Sequence, residues 1–195
     1  LIEHPAVPEF LKTAAHQMTN RNIRNVATVG GQLGANKSCA DLIPALLAAE
    51  ARVVLADREM PVEAFLTGAP ELIIAIIVPT TNRTFGLASH SRTASDISIV
   101  TAAASLTLDG DMLRQPMLAI GGVAPHVVRL HEVEKSLDGK PLPSPEHLES
   151  LIAGAVHPID DLRGSAAFKR QIAAVLGARV VKAAAAQTGS RKGAR

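Results

Sequence analysis

The strongest constraint on the fold of this chain lies in residues 84–123, where three segments read as strands in close succession. They cover residues 84–91, 97–108 and 112–123. Asp109-Gly110, between the second and the third, is a dipeptide that favours a two-residue hairpin turn. Strands joined by short connections pair antiparallel, because a parallel pair needs a long crossover. The sequence therefore predicts a three-stranded antiparallel meander.

Helical patterns surround this sheet. Residues 132–137, 145–155 and 165–186 read as helices behind it, with Ser144 as an N-cap. Before the sheet, apolar spacing predicts helices over 7–19 and 40–50, strands over 52–56 and 71–78, and a helical turn over 62–66. Pro79 and the polar residues after it mark a boundary. We expect an α+β chain with domains at 1–79 and 83–188 and a basic tail at 189–195.

Composition narrows the possible functions. With 195 residues, 47% of them hydrophobic, and a net charge of +2, the chain is neither disordered nor dedicated to nucleic acid. Its single cysteine, Cys39, excludes an intrachain disulfide and an iron–sulfur cluster held by this chain alone. The cysteine content fits a reducing compartment, so we expect a cytoplasmic location. No apolar run reaches the length of a membrane span, so we expect no membrane partner.

A Gly30-Gly31 pair is the first candidate for a ligand site. Two glycines let a ligand approach the backbone closely, and their N–H groups can point at an anion. An apolar helix that follows, opened by Ser38 and Asp41, adds the positive end of its dipole. These residues predict a phosphate or pyrophosphate site, while a simple tight turn is the alternative.

Four ordered blocks carry a more specific signal. They are IRNVATVGG (23–31) followed by DLIP (41–44), SHSRTASDISIV (89–100), IGGVAP (120–125), and DLRGS (161–165) with FKR (168–170). In these blocks the chain resembles the FAD-binding subunit or domain of the molybdenum hydroxylases, over roughly residues 7–186. That family includes xanthine dehydrogenase, carbon monoxide dehydrogenase and aldehyde oxidoreductases. The resemblance implies a partial FAD-binding α/β subdomain followed by a carboxy-terminal domain like that of the CO dehydrogenase flavoprotein.

The resemblance also implies a set of cofactor-binding residues. Backbone donors and a hydroxyl of the 28–32 segment would hold FAD, the position of Asp41 would bind its polyol chain or adjacent groups, and two apolar side chains would line the flavin. The candidates are Thr28, Val29, Gly30, Gly31, Gln32, Asp41, Met18 and Ile73. From the residues alone, Asp41 is equally a helix-start acid and the two apolar side chains are equally core residues. No catalytic side chain and no metal ligand set is predicted.

Departures from the family pattern leave a second hypothesis open. Gln32 stands where relatives usually have Asn, and Ala88 where they often have a lysine. A first glycine turn, typical of an amino-terminal subdomain, is missing before Arg21, so we expect the chain to lack that subdomain and to be a fragment or a remnant. Arg92 could pair with Asp96 or reach the cofactor.

The leading functional hypothesis is an FAD-binding electron-transfer subunit of a molybdenum hydroxylase. By resemblance, FAD would take electrons from the iron–sulfur clusters of a partner subunit and pass them to NAD or another acceptor, while a molybdopterin subunit hydroxylates the substrate. The alternative is a truncated, non-catalytic assembly module that docks partner subunits without binding flavin.

Overall fold

A computed structural model describes residues 3–191 of the chain, with side chains through Gln187. The helices are α1 (Glu9–Gln17), α2 (Arg21–Val26), α3 (Val29–Ala35), α4 (Ile43–Ala48), α5 (Val62–Thr67), α6 (His131–Leu137), α7 (Pro145–Ala155) and α8 (Ala166–Arg191). The strands are β1 (Arg52–Val54), β2 (Glu59–Pro61), β3 (Ala75–Ile77), β4 (Thr84–His90), β5 (Val100–Asp109), β6 (Met112–Gly121) and β7 (Val128–Arg129). This mixture of helices and antiparallel sheets confirms the predicted α+β class.

The larger sheet is the predicted meander with one strand added. Its order is β4-β5-β6-β7 and all neighbouring pairs are antiparallel. Asp109 pairs with Met112 across the hairpin, where Gly110 has φ +61, a conformation that glycine adopts without strain. The sequence predicted three strands in this sheet and missed the fourth, β7. A strand of two residues is too short to give a periodic pattern.

Helix α8 packs against one face of this sheet, α7 packs against α8, and together they build the core of the second half of the chain. Its fully buried side chains include Leu106, Leu118 and Ile120 from the sheet and Ile152 from α7. Helix α8 runs beyond the predicted end at residue 186 to Arg191. The rest of the predicted basic tail, residues 192–195, lies outside the described residues.

A second sheet belongs to the first half of the chain. Its order is β2-β1-β3, and both pairs are antiparallel. The strand expected over 71–78 is only Ala75–Ile77, and the helix expected over 40–50 begins at Ile43. The sequence reasoning missed the three-residue strand β2 and the six-residue helix α2. These elements are too short to show a clear hydrophobic period.

The two halves share one of their cores. Helix α4 is buried along its whole length and packs against β5 and β6 of the larger sheet. Ala119 and Val127 of the second half belong to the apolar cluster that α1, α4 and α5 form in the first half. No helix in residues 3–191 combines the length and the apolarity that a bilayer crossing would require.

Candidate functional site

The Gly30-Gly31 pair lies in the first turn of a helix, and the prediction of a sharp turn there was wrong. Thr28 is the N-cap of α3 with extended φ and ψ, and its Oγ1 accepts a hydrogen bond of 2.9 Å from the N–H of Gly31. This is the usual way in which a threonine hydroxyl satisfies an otherwise unpaired donor of a first turn. The Thr28 hydroxyl and the N–H of Gly31, which were both predicted to bind a ligand, therefore form a hydrogen bond with each other.

A second cap fixes the helix that comes before. Asn20 caps α2 by accepting a hydrogen bond of 3.1 Å from the N–H of Ile23. The Arg24 guanidinium donates to the carbonyl oxygens of Met18, at 2.7 Å, and of Thr19, at 3.1 Å. These bonds hold the end of α1 against α2, so that two short helices stand in defined positions above the buried Met18.

Two grooves meet at the junction of α2 and α3. Both are lined by Met18, Ala27 and Thr28. The first, of about 460 Å³, has basic side chains on its wall, Arg21 and Arg24. The second, of about 380 Å³, which we call the central groove, is lined in addition by Thr19, Ile23, Val26, Gly31, Gln32, Ala35, Lys37, Cys39, Ala40, Asp41 and Ile97. Five of the eight predicted cofactor residues therefore line one groove.

Asp41 is the acidic group of the central groove. It precedes α4 and is not inside that helix, which corrects its expected position. Its Oδ1 accepts a hydrogen bond of 2.7 Å from the Ser98 hydroxyl, at the start of the second half. Burial raises the pKa of Asp41, and the bond from Ser98 opposes this only in part. Ala88 lines a small cleft of about 10 Å³ together with Asp41. Ala88 carries no charge, so it does not lower the pKa of Asp41 as a lysine at that position would.

Gln32 links α3 to the beginning of α4. Its Oε1 accepts a hydrogen bond of 3.3 Å from the N–H of Leu42, and its Nε2 lies 3.9 Å from the sulfur of Met18. Thr19, on the same groove, has a buried Oγ1 without a hydrogen-bond partner among the described residues. A buried hydroxyl of this kind is usually satisfied in proteins, so a ligand atom at this wall would gain a partner.

The remaining three predicted residues lie elsewhere. Val29 lines the first groove, on the other side of the junction. Gly30 belongs to the same helical turn, and no other atom lies within 4 Å of the place where a Cβ would stand. Ile73 packs against the apolar cluster of the first half and lines neither groove. Ile73 is thus partly buried at the edge of that cluster, and its contact with a flavin stays a prediction.

Sequence reasoning did not single out the groove residues Thr19, Lys37 and Ile97, nor Ser98, which binds Asp41. No motif marks Thr19 and Lys37, and the 89–100 block contains Ile97 and Ser98 without indicating that they reach the groove, because their placement depends on the tertiary fold. Arg92, by contrast, pairs with Asp96 as one alternative proposed, with 2.8 Å between Nε and Oδ2. Within residues 3–191, no three His, Cys, Asp or Glu side chains come together as a metal site.

Two protein-family models match this chain. The FAD binding domain in molybdopterin dehydrogenase matches residues 3–81, which contain both capped helices. The CO dehydrogenase flavoprotein C-terminal domain matches residues 86–184, which contain the larger sheet with α6 and α7 and most of α8. The two matches leave only residues 82–85 and the termini outside.

Similar proteins agree with these models. YgfM of Escherichia coli is 37% identical over 173 residues, which are 87% of this chain and 63% of YgfM. The putative xanthine dehydrogenase FAD-binding subunit XdhB of Escherichia coli is 26% identical over 98% of this chain and 72% of its own length. Carbon monoxide dehydrogenase from Hydrogenophaga pseudoflava superposes with a TM-score of 0.87 at 25% identity, over 96% of this chain and 71% of the matched one.

The chain spans about 63% of the length of YgfM. Both family models match in the expected order along the chain, and the second alone covers residues 86–184, just over half of it. This chain therefore belongs to the family of FAD-binding flavoprotein subunits of the molybdenum hydroxylases.

Proposed function

We propose that this chain binds FAD in the central groove and serves as the electron-transfer subunit of a molybdenum hydroxylase. The observation that carries the proposal is the convergence of Met18, Thr28, Gly31, Gln32 and Asp41 on that groove. These five residues lie between positions 18 and 41, and all of them lie within the family segment that is named for FAD binding.

The groove has the chemistry that a flavin dinucleotide needs. Apolar side chains form its floor and rim, as in most cofactor sites. Asp41 accepts one hydrogen bond through Oδ1, which leaves Oδ2 to accept from the hydroxyls of a polyol. The unpaired Thr19 hydroxyl offers a further donor or acceptor. Gly31 keeps the backbone accessible, and Arg21, Arg24 and Lys37 supply positive charge for a pyrophosphate.

When bound, FAD supplies the redox chemistry, and the protein positions the cofactor and sets its surroundings. Here Asp41 and Gln32 would orient it by hydrogen bonds, and the apolar wall would exclude water. The electron donor would be an iron–sulfur subunit of the same complex, which also holds a molybdopterin subunit, and NAD or another acceptor would take the electrons. In support, this chain is 26% identical to the nicotine 6-hydroxylase medium subunit of Paenarthrobacter nicotinovorans, and the carbon monoxide dehydrogenase that it resembles is named with a molybdenum cofactor.

The test is a titration of the purified chain with FAD, followed by the flavin absorbance bands. A variant that fills the groove is Ala27→Phe, because Ala27 lines both grooves, is exposed and has an ordinary φ of −71. Blocking the site should weaken FAD binding at least ten-fold without loss of helical circular dichroism. Ala69→Phe, in the exposed loop after α5, is the matched control and should bind as the parent does.

The titration also distinguishes the FAD-binding proposal from the assembly-module hypothesis. If the parent chain binds FAD saturably and Ala27→Phe does not, flavin binding belongs to this chain. If Ala27→Phe binds as tightly as Ala69→Phe, the central groove is not the site. A folded parent that takes up no FAD would favour a module that only docks partner subunits.

A further inference from the structure

The loop between β4 and β5 (residues 91–99) carries a buried hydroxyl, that of Ser98. This residue is 3% exposed, although most of the loop around it lies in solvent. Its hydroxyl donates a hydrogen bond of 2.7 Å to Asp41 Oδ1, and Asp41 lines the central groove. Ser98 belongs to the second half of the chain and Asp41 to the first, so the bond crosses the junction at the edge of the groove.

Hydrogen bonds on both sides of Ser98 fix its position in the loop. Before it, the side chain of Asp96 accepts a hydrogen bond of 2.8 Å from the N–H of Ile97. After it, the N–H of Ile99 donates to the carbonyl of His90 at 2.7 Å, where the two strands meet the loop. The hydroxyl that reaches the first half therefore comes from a backbone that is held in place.

Asp41 depends on this bond for its orientation. It lies in the irregular stretch before α4, and the N-cap of that helix is Leu42, with no side-chain cap. The terminal torsion of an aspartate has broad preferences, so an unbound carboxylate samples several directions. Because a carboxylate is planar, a bond to Oδ1 also restricts the direction in which Oδ2 accepts. Ser98 thus removes conformational freedom that Asp41 would otherwise lose on binding a ligand.

The same bond favours the charged form of the carboxylate. Burial raises the pKa of Asp41, and the hydrogen bond from Ser98 lowers it. Lys37 and Cys39 are the other titratable side chains among the described residues that line the central groove. The small cleft that Asp41 also lines has no further titratable side chain among its described lining residues. Loss of Ser98 should therefore favour protonated Asp41, which has less capacity to accept hydrogen bonds.

We propose that Ser98 is a positioning residue for FAD, because its hydroxyl orients the Asp41 carboxylate to accept a hydrogen bond from the polyol chain of the cofactor. The second half of the chain then takes part in cofactor binding through a hydroxyl that acts by way of Asp41. A hydroxyl that only joined the two halves would leave the pH dependence of FAD binding unchanged. This inference rests on the proposed function, since it concerns the cofactor that we place in the central groove.

The test is an FAD titration of the full chain and its variants between about pH 8 and about pH 5. Ser98→Ala should raise the Kd on the order of ten-fold at the upper pH, because Asp41 loses the hydrogen bond that orients it. Its affinity should also begin to fall at a higher pH than that of the parent, since the pKa of Asp41 rises further. Ser98→Cys fills nearly the same space with a weaker donor and should lie between the two. It decides the question if Ser98→Ala does not fold.

Ser91→Ala is the matched control. The Ser91 hydroxyl lies in the same loop but donates to the carbonyl of Thr93, at 2.7 Å, so its removal should leave the Kd and the pH profile of the parent. Asp41→Ala tests the route of the effect. In that background Ser98→Ala should cause no further loss of affinity, because both changes remove the same interaction.

The inference is supported if Ser98→Ala binds FAD more weakly with a shifted pH profile, adds no loss to Asp41→Ala, and is folded by circular dichroism. An unchanged pH profile, a full additional loss beside Asp41→Ala, or an equal loss in Ser91→Ala overturns it. If the parent and Ser98→Ala bind FAD equally well, the inference is overturned and the proposed function stands. A folded parent that binds no FAD rejects the proposed function, and this role of Ser98 with it.

Discussion

Asp41 combines a proposed role in FAD binding with a cost in stability. Its carboxylate is desolvated, faces a groove and accepts a hydrogen bond from the Ser98 hydroxyl. In the native state it therefore keeps its proton to a higher pH than in the unfolded chain. Its contribution to the free energy of unfolding falls as pH rises from its ordinary pKa of 3.8 through the raised native value.

Asp41→Asn should separate the two effects. Asparagine keeps an oxygen that accepts from Ser98 but carries no charge, so the variant should unfold at higher urea concentration than the parent at pH 7. This advantage should vanish as pH approaches 4. Its FAD affinity should fall on the order of ten- to hundred-fold, the usual value of a hydrogen bond to a charged group. Urea titrations at several pH values and an FAD titration measure both.

A stability advantage that stayed constant with pH would show that the charge of Asp41 is not what burial penalises. Ser98→Ala is the matched control. It removes the hydroxyl and leaves the carboxylate, so it should raise the pKa of Asp41 further and should not stabilise the chain at pH 7.

Individual residues were predictable where a motif marked them. Thr28, Gly31 and Asp41 stand in blocks of family sequence, Gln32 directly follows the first block, and all four line the central groove, while their binding of FAD stays a prediction. Ile73 was placed at the flavin by the same route; in the structure it is partly buried and packs against the apolar cluster of the first half, and its contact with the flavin stays a prediction. Thr19 was not found, since an unpaired hydroxyl is recognisable only after the surrounding backbone is in place.

Elements were predicted best where the sequence pattern was long. Helices α7 and α8 and the strands β4, β5 and β6 were expected within a few residues, because each of them spans at least seven residues of consistent composition. The Gly30-Gly31 pair misled the prediction, since glycine usually breaks helices. In α3 the Thr28 cap at one end and the left-handed Asn36 at the other, with φ +43, outweigh that tendency.

Contact between α8 and the larger sheet depends on a glycine in β4. A Cβ on Gly86 would stand 2.0 Å from the carbonyl oxygen of Val180, so the helix backbone lies directly on the strand. Gly86→Ala should therefore cost about 3 kcal/mol or more of the free energy of unfolding, because backbone atoms cannot move aside as a side chain does. Urea-induced unfolding followed by circular dichroism measures the loss.

Gly154→Ala is the control for this effect. Gly154 lies in α7 with nothing within 4 Å of the added methyl group. Alanine has the higher helix propensity, so this variant should gain up to about 1 kcal/mol. If both alanine variants behaved alike, close backbone approach at Gly86 would not be what fixes α8 on the sheet.

Hydrogen bonds between the two halves of the chain join them into one structure, and no sequence pattern predicts these bonds. The Ser105 hydroxyl donates to the carbonyl of Ala48 at 2.5 Å, and the N–H of Gly122 donates to the carbonyl of Ser38 at 2.8 Å. Arg83, buried at the boundary predicted near Pro79, donates to the Ser105 hydroxyl at 2.9 Å. A boundary in sequence therefore coincides with a tightly bonded junction, and the groove is shaped by both halves.

A charged cluster also lies at this junction. Arg129 of β7 binds Glu134 of α6 through two nitrogens, at 2.6 and 3.1 Å, and reaches Glu63 of α5 at 3.2 Å. Glu134 is buried and also accepts from the N–H of Leu118 at 2.8 Å. Burial alone would lower the pKa of Arg129, but the bond to Glu134 and the nearby carboxylates raise it overall.

Arg129→Met should destabilise the whole chain by about 3–5 kcal/mol, because it leaves the carboxylate of Glu134 buried without its cation. Glu63→Gln keeps the buried pair and removes only a partly exposed partner, so it should cost about 1 kcal/mol or less. The double variant Arg129→Met with Glu134→Leu should recover most of the loss, since an apolar pair can replace a buried ion pair. Urea titrations of the three variants, with hydrogen exchange of α5 and α6, measure these differences.

If Glu63→Gln lowered the free energy of unfolding as much as Arg129→Met, the contact with Glu63 of α5 would dominate, and the amide hydrogens of α5 should then exchange first. If the double variant were no more stable than Arg129→Met, the penalty would come from lost packing of the arginine and not from the stranded charge.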